Sequence, residues 1–494
     1  MSLIGNICSS ICHQNLDGDE KNREAQRAID ASIRFPALSI IKASMVWMLV
    51  ATVFGLIASI KLHTPGFLGD CSFLTYGKVE PIFWNVLVYG WLFNAGLACA
   101  VFILARLGGK PLDNSLFLTI VSAAWNTAVV VGTIGILVGD QLPYRLLEFP
   151  AYASLILFVS FLGIGLWCLL AFRARAYRST YASQWWILAA LFSFAWIYSG
   201  AQIMLVGSPA QGAFQALANA WYVENVFGLL IAPLGLATIY YLIPKTLGVT
   251  VVGYRYTNIA FWTWILCASI AGAAKLVNGP IPVWVASTGV IAAFCLIFPT
   301  TVFGIQFLSS LFKRFSAIWD SASARFLFAG ALLFLTTMVF KIFGALRMSQ
   351  DVVQFSVFDA GVSQLAYFGF AGLVFSGAGY FILQRLLNKE IPSSTLVDLQ
   401  FWTQLMGVIV VAIGLISGGI QQGDLMNGST ADMLAVVNTM RSSYFLTSMG
   451  LSLFLIGAIA SNVTFFWMLL SSRSEKEASS SLIEEAPELE YTAS

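Results

Sequence analysis

Runs of about 20 predominantly apolar residues recur along the whole chain, and a run of that length is what one helix needs to cross the hydrocarbon core of a bilayer. They lie near 42–62, 82–105, 115–139, 150–172, 185–206, 219–243, 257–278, 284–312, 326–346, 361–384, 400–420 and 445–470. Backbone groups in hydrocarbon must be satisfied internally, which leaves helices or closed barrels. These stretches are continuously apolar and too long for barrel strands, so each is read as a helix. The pattern predicts an all-α polytopic membrane protein with twelve spans. Composition agrees, because 58% of the residues are hydrophobic and 10% charged, against roughly 25% charged in an average soluble domain.

The loops give the orientation. With the N-terminus inside, the inner loops carry Arg106 and Lys110, then Arg173, Arg175 and Arg178, then Lys245 and Arg255, then Lys313, Arg314 and Arg325, then Arg385 and Lys389. The clear outer cases are Lys78, Arg145 and Arg441. The positive-inside rule therefore predicts both termini in the cytoplasm. Residues 1–40 are polar and charged and form a cytoplasmic N-terminal tail, with no signal-peptide pattern. Residues 41–470 form the membrane domain. Residues 471–494, with Glu484, Glu485, Glu488 and Glu490, are expected to be a disordered cytoplasmic tail. A net charge of +2 from scattered basic residues excludes nucleic acid as a partner and leaves membrane lipid.

Seven cysteines make no disulfide framework, and Cys99, Cys168, Cys267 and Cys295 fall inside helices as small packing residues. Cys8, Cys12 and His13 lack a fourth ligand at usual spacing, so no metal site is assigned there. The charged residues within spans carry more information, since an ionisable group in the membrane is costly unless paired or near water. Glu224, Lys275 and Lys341 are the ones that stand out.

Leu74-Thr75-Tyr76-Gly77-Lys78-Val79-Glu80-Pro81, leading into Asn85 and Tyr89-Gly90-Trp91-Leu92-Phe93-Asn94-Ala95, resembles the start of helix two in subunit I of the cbb3-type haem-copper oxidases. Trp221-Tyr222 through Gly228, then Tyr240-Tyr241-Leu242-Ile243-Pro244-Lys245, Gly253-Tyr254-Arg255 and Phe261-Trp262, is similar to that family's helices six and seven. Gly377-Ala378-Gly379-Tyr380 with Arg385 resembles the end of helix ten. The likeness runs from about residue 40 to 470 and implies a twelve-helix haem-copper oxidase subunit I-like bundle.

The resemblance also implies haem b, haem b3 and copper held by six histidines, a ligand type suited to both metals. This chain has two histidines, His13 in the tail and His63 at the end of the first span, and neither falls at a ligand position. Laid along the family motif, the low-spin haem ligand falls on Phe83 and the first copper ligand on Glu224. The paired copper histidines fall on Ala274 and Lys275, and the His-x-His of helix ten on Val362 and Gln364. Tyr254 stands as the counterpart of the tyrosine beside the copper. The resemblance thus implies a degenerate homologue with no catalytic residue, no metal and no cofactor expected on this chain. Phe83, Trp84, Tyr367, Phe368 and Phe370 are expected to fill part of the space a haem would take.

The favoured reading is a redox-inactive structural or assembly subunit of a respiratory complex, partnered by other subunits including c-type cytochromes. A second is ion translocation through Glu224, Lys275 and Lys341, with Asn219, Asn225, Ser269 and Thr337 along the way. A third is an oxidase whose haem is held by Met348, Cys267 or Lys275. Because the helix-six and helix-seven ligands converge on one metal in the family, Glu224 and Lys275 are expected to form an ion pair.

Overall fold

The computed structural model describes the backbone of residues 2–177, 179–428 and 433–471, with side chains from residue 24 onward. The acidic tail and the Cys8, Cys12 and His13 side chains lie outside the described residues. Twelve helices among the described residues are long and apolar enough to cross a membrane: α1 Glu24–His63, α2 Tyr76–Gly108, α3 Ser115–Val138, α4 Ala151–Arg173, α5 Ala182–Gly207, α6 Ala213–Leu247, α7 Tyr254–Leu276, α8 Val283–Phe312, α9 Ala322–Ala345, α10 Phe358–Leu387, α11 Ser394–Asn427 and α12 Met433–Leu470. Each corresponds to one apolar run of the sequence.

Two boundaries differ from the expected ones for physical reasons. The helix of α1 continues back past residue 40, because Ile29, Ile33 and Ala37 present a buried apolar stripe to the bundle and Asp30 pairs with Arg106 at 2.6 Å. The tail boundary at 40 therefore falls inside a helix. The run at 284–312 is two helical segments, Val283–Cys295 and Ile297–Phe312, with the break three residues before Pro299. Proline has no N–H to offer the carbonyl of Cys295 and its ring crowds that group, so the helix turns aside there.

The bundle has a centre and a rim. In the most apolar stretches of α2, α6 and α10, 94%, 100% and 94% of residues are buried, against 56% or less in the other nine helices. Those nine turn apolar side chains such as Leu166, Phe192, Trp262 and Ile413 outward, as helices facing lipid do. Each central helix also contains a π-helical segment, at Val86–Leu92, Val226–Ile231 and Leu365–Gly372. Such segments widen a helix by one residue and recur at functional sites. They begin within three residues of Phe83, Glu224 and Gln364, three of the positions singled out in the sequence.

Candidate functional site, a charged cavity among α6, α7, α9 and α10

Four ionisable side chains meet near the end of the bundle that carries His63. Glu224 comes from α6, just ahead of its π segment, and Lys341 from the last turns of α9. Lys275 sits in the 3-10 turn Gly272–Leu276 that ends α7. Asp359 lies in the first turn of α10, where the helix dipole favours a carboxylate. Lys341 Nζ lies 2.6 Å from Glu224 Oε1, both side chains being 16% exposed, and Lys275 Nζ pairs with Asp359 Oδ1. Lys341 also lies over the ring of Phe227, 5.1 Å from its centroid.

The expected Glu224–Lys275 pair is thus corrected. The direct partner of Glu224 is Lys341. The turn ending α7 does pack against α6 here, a Cβ on Gly272 falling 3.2 Å from Glu224 Cβ, but the Lys275 side chain meets Asp359 on α10 instead. All four groups line one cavity of about 540 Å³, together with Arg145, Asn219 and Tyr367. Its volume is in the range of small-molecule sites. Glu224, Lys341, Lys275 and Asp359 each have an opposite charge in contact, which is what makes ions tolerable in such a site.

A second cavity of about 490 Å³ lies beside it, lined by Phe83, Trp84, Glu80, Glu148 and Gln364, and Arg145 contributes to both. The Arg145 guanidinium lies 4.7 Å from the centroid of Trp84, a cation–π contact. Glu148, in the segment between α3 and α4, accepts a hydrogen bond from Asn85 Nδ2 at 2.6 Å. Burial pushes the Glu148 carboxyl up to about 7, against the opposing effects of the Asn85 bond and the Arg145 charge.

Aromatic rings pack around and between the cavities. Phe83 stacks on Phe368 at 6.0 Å, Trp84 meets Tyr367 edge-on at 6.1 Å, and Phe370 lies 4.7 Å from Phe334. Phe83, Trp84, Tyr367, Phe368 and Phe370 are all buried, so they are core rings rather than lipid-facing ones.

Phe83, Ala274, Val362 and Gln364 are buried in the interior, and Glu224 and Lys275 face the first cavity. Three of the six offer no donor atom, and two are engaged in ion pairs. Gln364 is an amide whose buried Oε1 has no hydrogen-bond partner among the described residues. Among the described residues no group of three His, Cys, Asp or Glu side chains has metal-holding geometry. This donor set does not fit the two haems and copper that the resemblance implies.

Tyr254 is corrected in place. It begins α7 whereas Lys275 ends it, so 21 residues of helix, roughly 30 Å, separate them. Its hydroxyl accepts a hydrogen bond from the Ala182 backbone N–H at 2.8 Å, and its ring stacks on Tyr181. Met348 is 90% exposed, and Cys267 lies two turns from Lys275 along α7, so the three alternative haem ligands do not converge. Asn219, Asn225 and Thr337 each spend a side-chain donor on a backbone carbonyl, Arg145, Trp221 and Leu333 respectively. Ser269 donates to Leu266 in the same way.

Asp359, Arg145 and Glu148 are site residues that sequence reasoning did not assign. Asp359 sits just ahead of the apolar run read from 361, where an acid looks like an ordinary helix start. Arg145 and Glu148 lie between two spans, in a stretch whose burial sequence alone does not reveal.

The sequence profile of the family described as "Cytochrome C and Quinol oxidase polypeptide I" matches residues 36–468. A cytochrome c oxidase subunit 1 homolog of Azorhizobium caulinodans is 23% identical over 432 residues, 84% of this chain and 78% of that protein. The cbb3-type cytochrome c oxidase subunit CcoN1 of Stutzerimonas stutzeri is 20% identical over 77% of this chain and 82% of its own length. The cryo-EM structure of a haem-copper terminal oxidase dimer is similar with a TM-score of 0.70 at 13% identity, covering 88% of this chain and 84% of that one.

Proposed function

Because the chain belongs to the cytochrome c and quinol oxidase polypeptide I family, we propose that it serves as a subunit I-like membrane component of a respiratory or electron-transfer complex without carrying the redox centre. The observation that supports this reading is the exchange of ligand chemistry for ion pairing. Where imidazoles are implied by the resemblance, this chain has Phe83, Ala274 and Val362, and its polar replacements Glu224 and Lys275 are committed to Lys341 and Asp359. Such a chain keeps the helical surface against which partner subunits pack while giving up the electron path. The partners proposed are further membrane subunits and c-type cytochromes, in a bacterial inner membrane with both termini cytoplasmic.

Ion conduction is less well supported. From Val226 to Ala237, α6 presents twelve consecutive buried residues without one polar side chain, with Phe370 packed against Phe227 and Phe334 against Phe370. A charge leaving Glu224 along this helix would meet desolvation of several kcal/mol.

The test is purification of the complex from its native membrane, followed by pyridine haemochrome and metal analysis on separated subunits. Haem and copper absent from this chain, with haem on co-purifying chains, is the expected result. A Soret band that stays with this chain would overturn the proposal.

A further inference from the structure

Arg145 is the cation of the first cavity that is left over after ion pairing. Lys341 is spent on Glu224 and Lys275 on Asp359, whereas among the described residues the Arg145 guanidinium has no carboxylate within ion-pair distance and no hydrogen-bond partner. Its acidic neighbours Glu80 and Glu148 lie on the side of the second cavity, and Glu148 is held by Asn85. The Tyr367 hydroxyl, on the wall of the same cavity, is likewise without a partner among the described residues. Both groups are tied to Trp84. The guanidinium lies 4.7 Å from the centre of its ring, and the Tyr367 ring meets it edge-on at 6.1 Å.

A rigid fork of N–H donors beside one O–H donor matches the two oxygens of a carboxylate. The same cavity is also lined by the apolar side chains of Val223, Phe227, Val362 and Ala366. We propose that this cavity binds a small monocarboxylate, its oxygens on Arg145 and Tyr367 and its hydrocarbon part against Phe227 and Val362. With Glu224 and Asp359 each neutralised by a lysine, Arg145 gives the cavity one net positive charge to match one carboxylate. The proposal rests on the redox-inactive reading, since a haem would compete for this space.

Butyrate, butyramide and inorganic phosphate are titrated into the purified full-length protein in detergent while the melting temperature is followed. Butyrate is expected to raise it saturably, and the other two are not. Arg145→Lys keeps the charge but loses the fork, and Tyr367→Phe removes one hydroxyl. Each should weaken butyrate by about 10-fold, the size of one hydrogen bond to a charged group. Where the arginine variant does not fold, the near-isosteric tyrosine variant decides. Equal shifts from phosphate and butyrate, or butyrate affinity unchanged in a folded variant, would overturn the carboxylate site. A haemochrome assay on the same sample separates the two readings. Haem on this chain sinks the redox-inactive reading, while a haem-free protein that does not respond to butyrate sinks the carboxylate site alone.

Discussion

Glu224 on α6 and Lys341 on α9 hold each other at 2.6 Å, in the position where the sequence register sets Lys275 opposite Glu224. The substitution of partner matters because the two ion pairs of the cavity differ in exposure. Glu224 and Lys341 are 16% exposed, while Lys275 and Asp359 are 35% and 41% exposed. A buried pair depends on both members, whereas a solvated one gains little.

Removing one member of the inner pair should therefore be the costlier change. Lys341→Met or Glu224→Gln alone is expected to cost about 3–5 kcal/mol, by leaving its partner uncompensated. The double change should recover much of that. Lys275→Met should cost only about 1 kcal/mol, since water already shares its pair. Thermal unfolding in detergent of the four proteins of a double-mutant cycle measures this, and additive losses at 224 and 341 would contradict the pairing.

The ring packing supplies a second expectation. Phe83 is buried against Phe368 and Trp84, and its ring lies where a Cβ on Gly55 would come within 2.8 Å. Phe83→Ala should destabilise by about 3 kcal/mol, the low end for a buried phenylalanine, because an existing cavity already adjoins the site. A loss under about 0.5 kcal/mol, the range of surface changes, would show that this ring does not hold the interior together.

The twelve spans were legible because hydrophobic length is a local property that any stretch of chain carries by itself. The same holds for interior placement of Phe83 and Gln364, which the motif order carries along. Pairing of charges was not legible. Which lysine meets Glu224 depends on where the side chains turn: the turn ending α7 packs against α6 at Gly272, yet Lys275 reaches Asp359 on α10, a choice that no spacing along one helix encodes. Tyr254 shows a related limit, because a motif gives order along the chain but not depth in the bundle. Asp359 was hidden for a simpler reason: an acid beside an apolar run is the usual appearance of a helix end.

Glu148 predicts the pH dependence. Its carboxyl is raised to about 7 in the fold by burial, from an ordinary value near 4.5. The folded state thus binds the proton more tightly than the unfolded chain, so this contribution is fully present below about pH 4.5 and is lost as pH rises through 7. The range spans roughly 3 kcal/mol at most. Melting temperature should fall between pH 5 and pH 8, within roughly the pH window those two values bracket, and Glu148→Gln, which mimics the protonated form next to Asn85, should flatten that slope. An unchanged slope in the variant would assign the pH dependence to another group.

Gly289 is expected to act on the second ion pair from a distance. It lies on α8 against the 3-10 turn that carries Lys275, and a Cβ there would stand 2.8 Å from the backbone carbon of Ala273. Backbone cannot swing away as a side-chain end can, so Gly289→Ala must push the whole turn or the helix. Overpacking of this kind costs about 1–3 kcal/mol. The specific consequence is that Lys275 shifts relative to Asp359, which is fixed separately by the first turn of α10. The coupling between Lys275→Met and Asp359→Asn, measured by a thermal double-mutant cycle, should therefore shrink in the Gly289→Ala background, while the coupling between Glu224 and Lys341 stays as it was. Loss of stability with both couplings intact would mean that the strain is relieved by outward movement of α8, and the turn would then not be what positions Lys275.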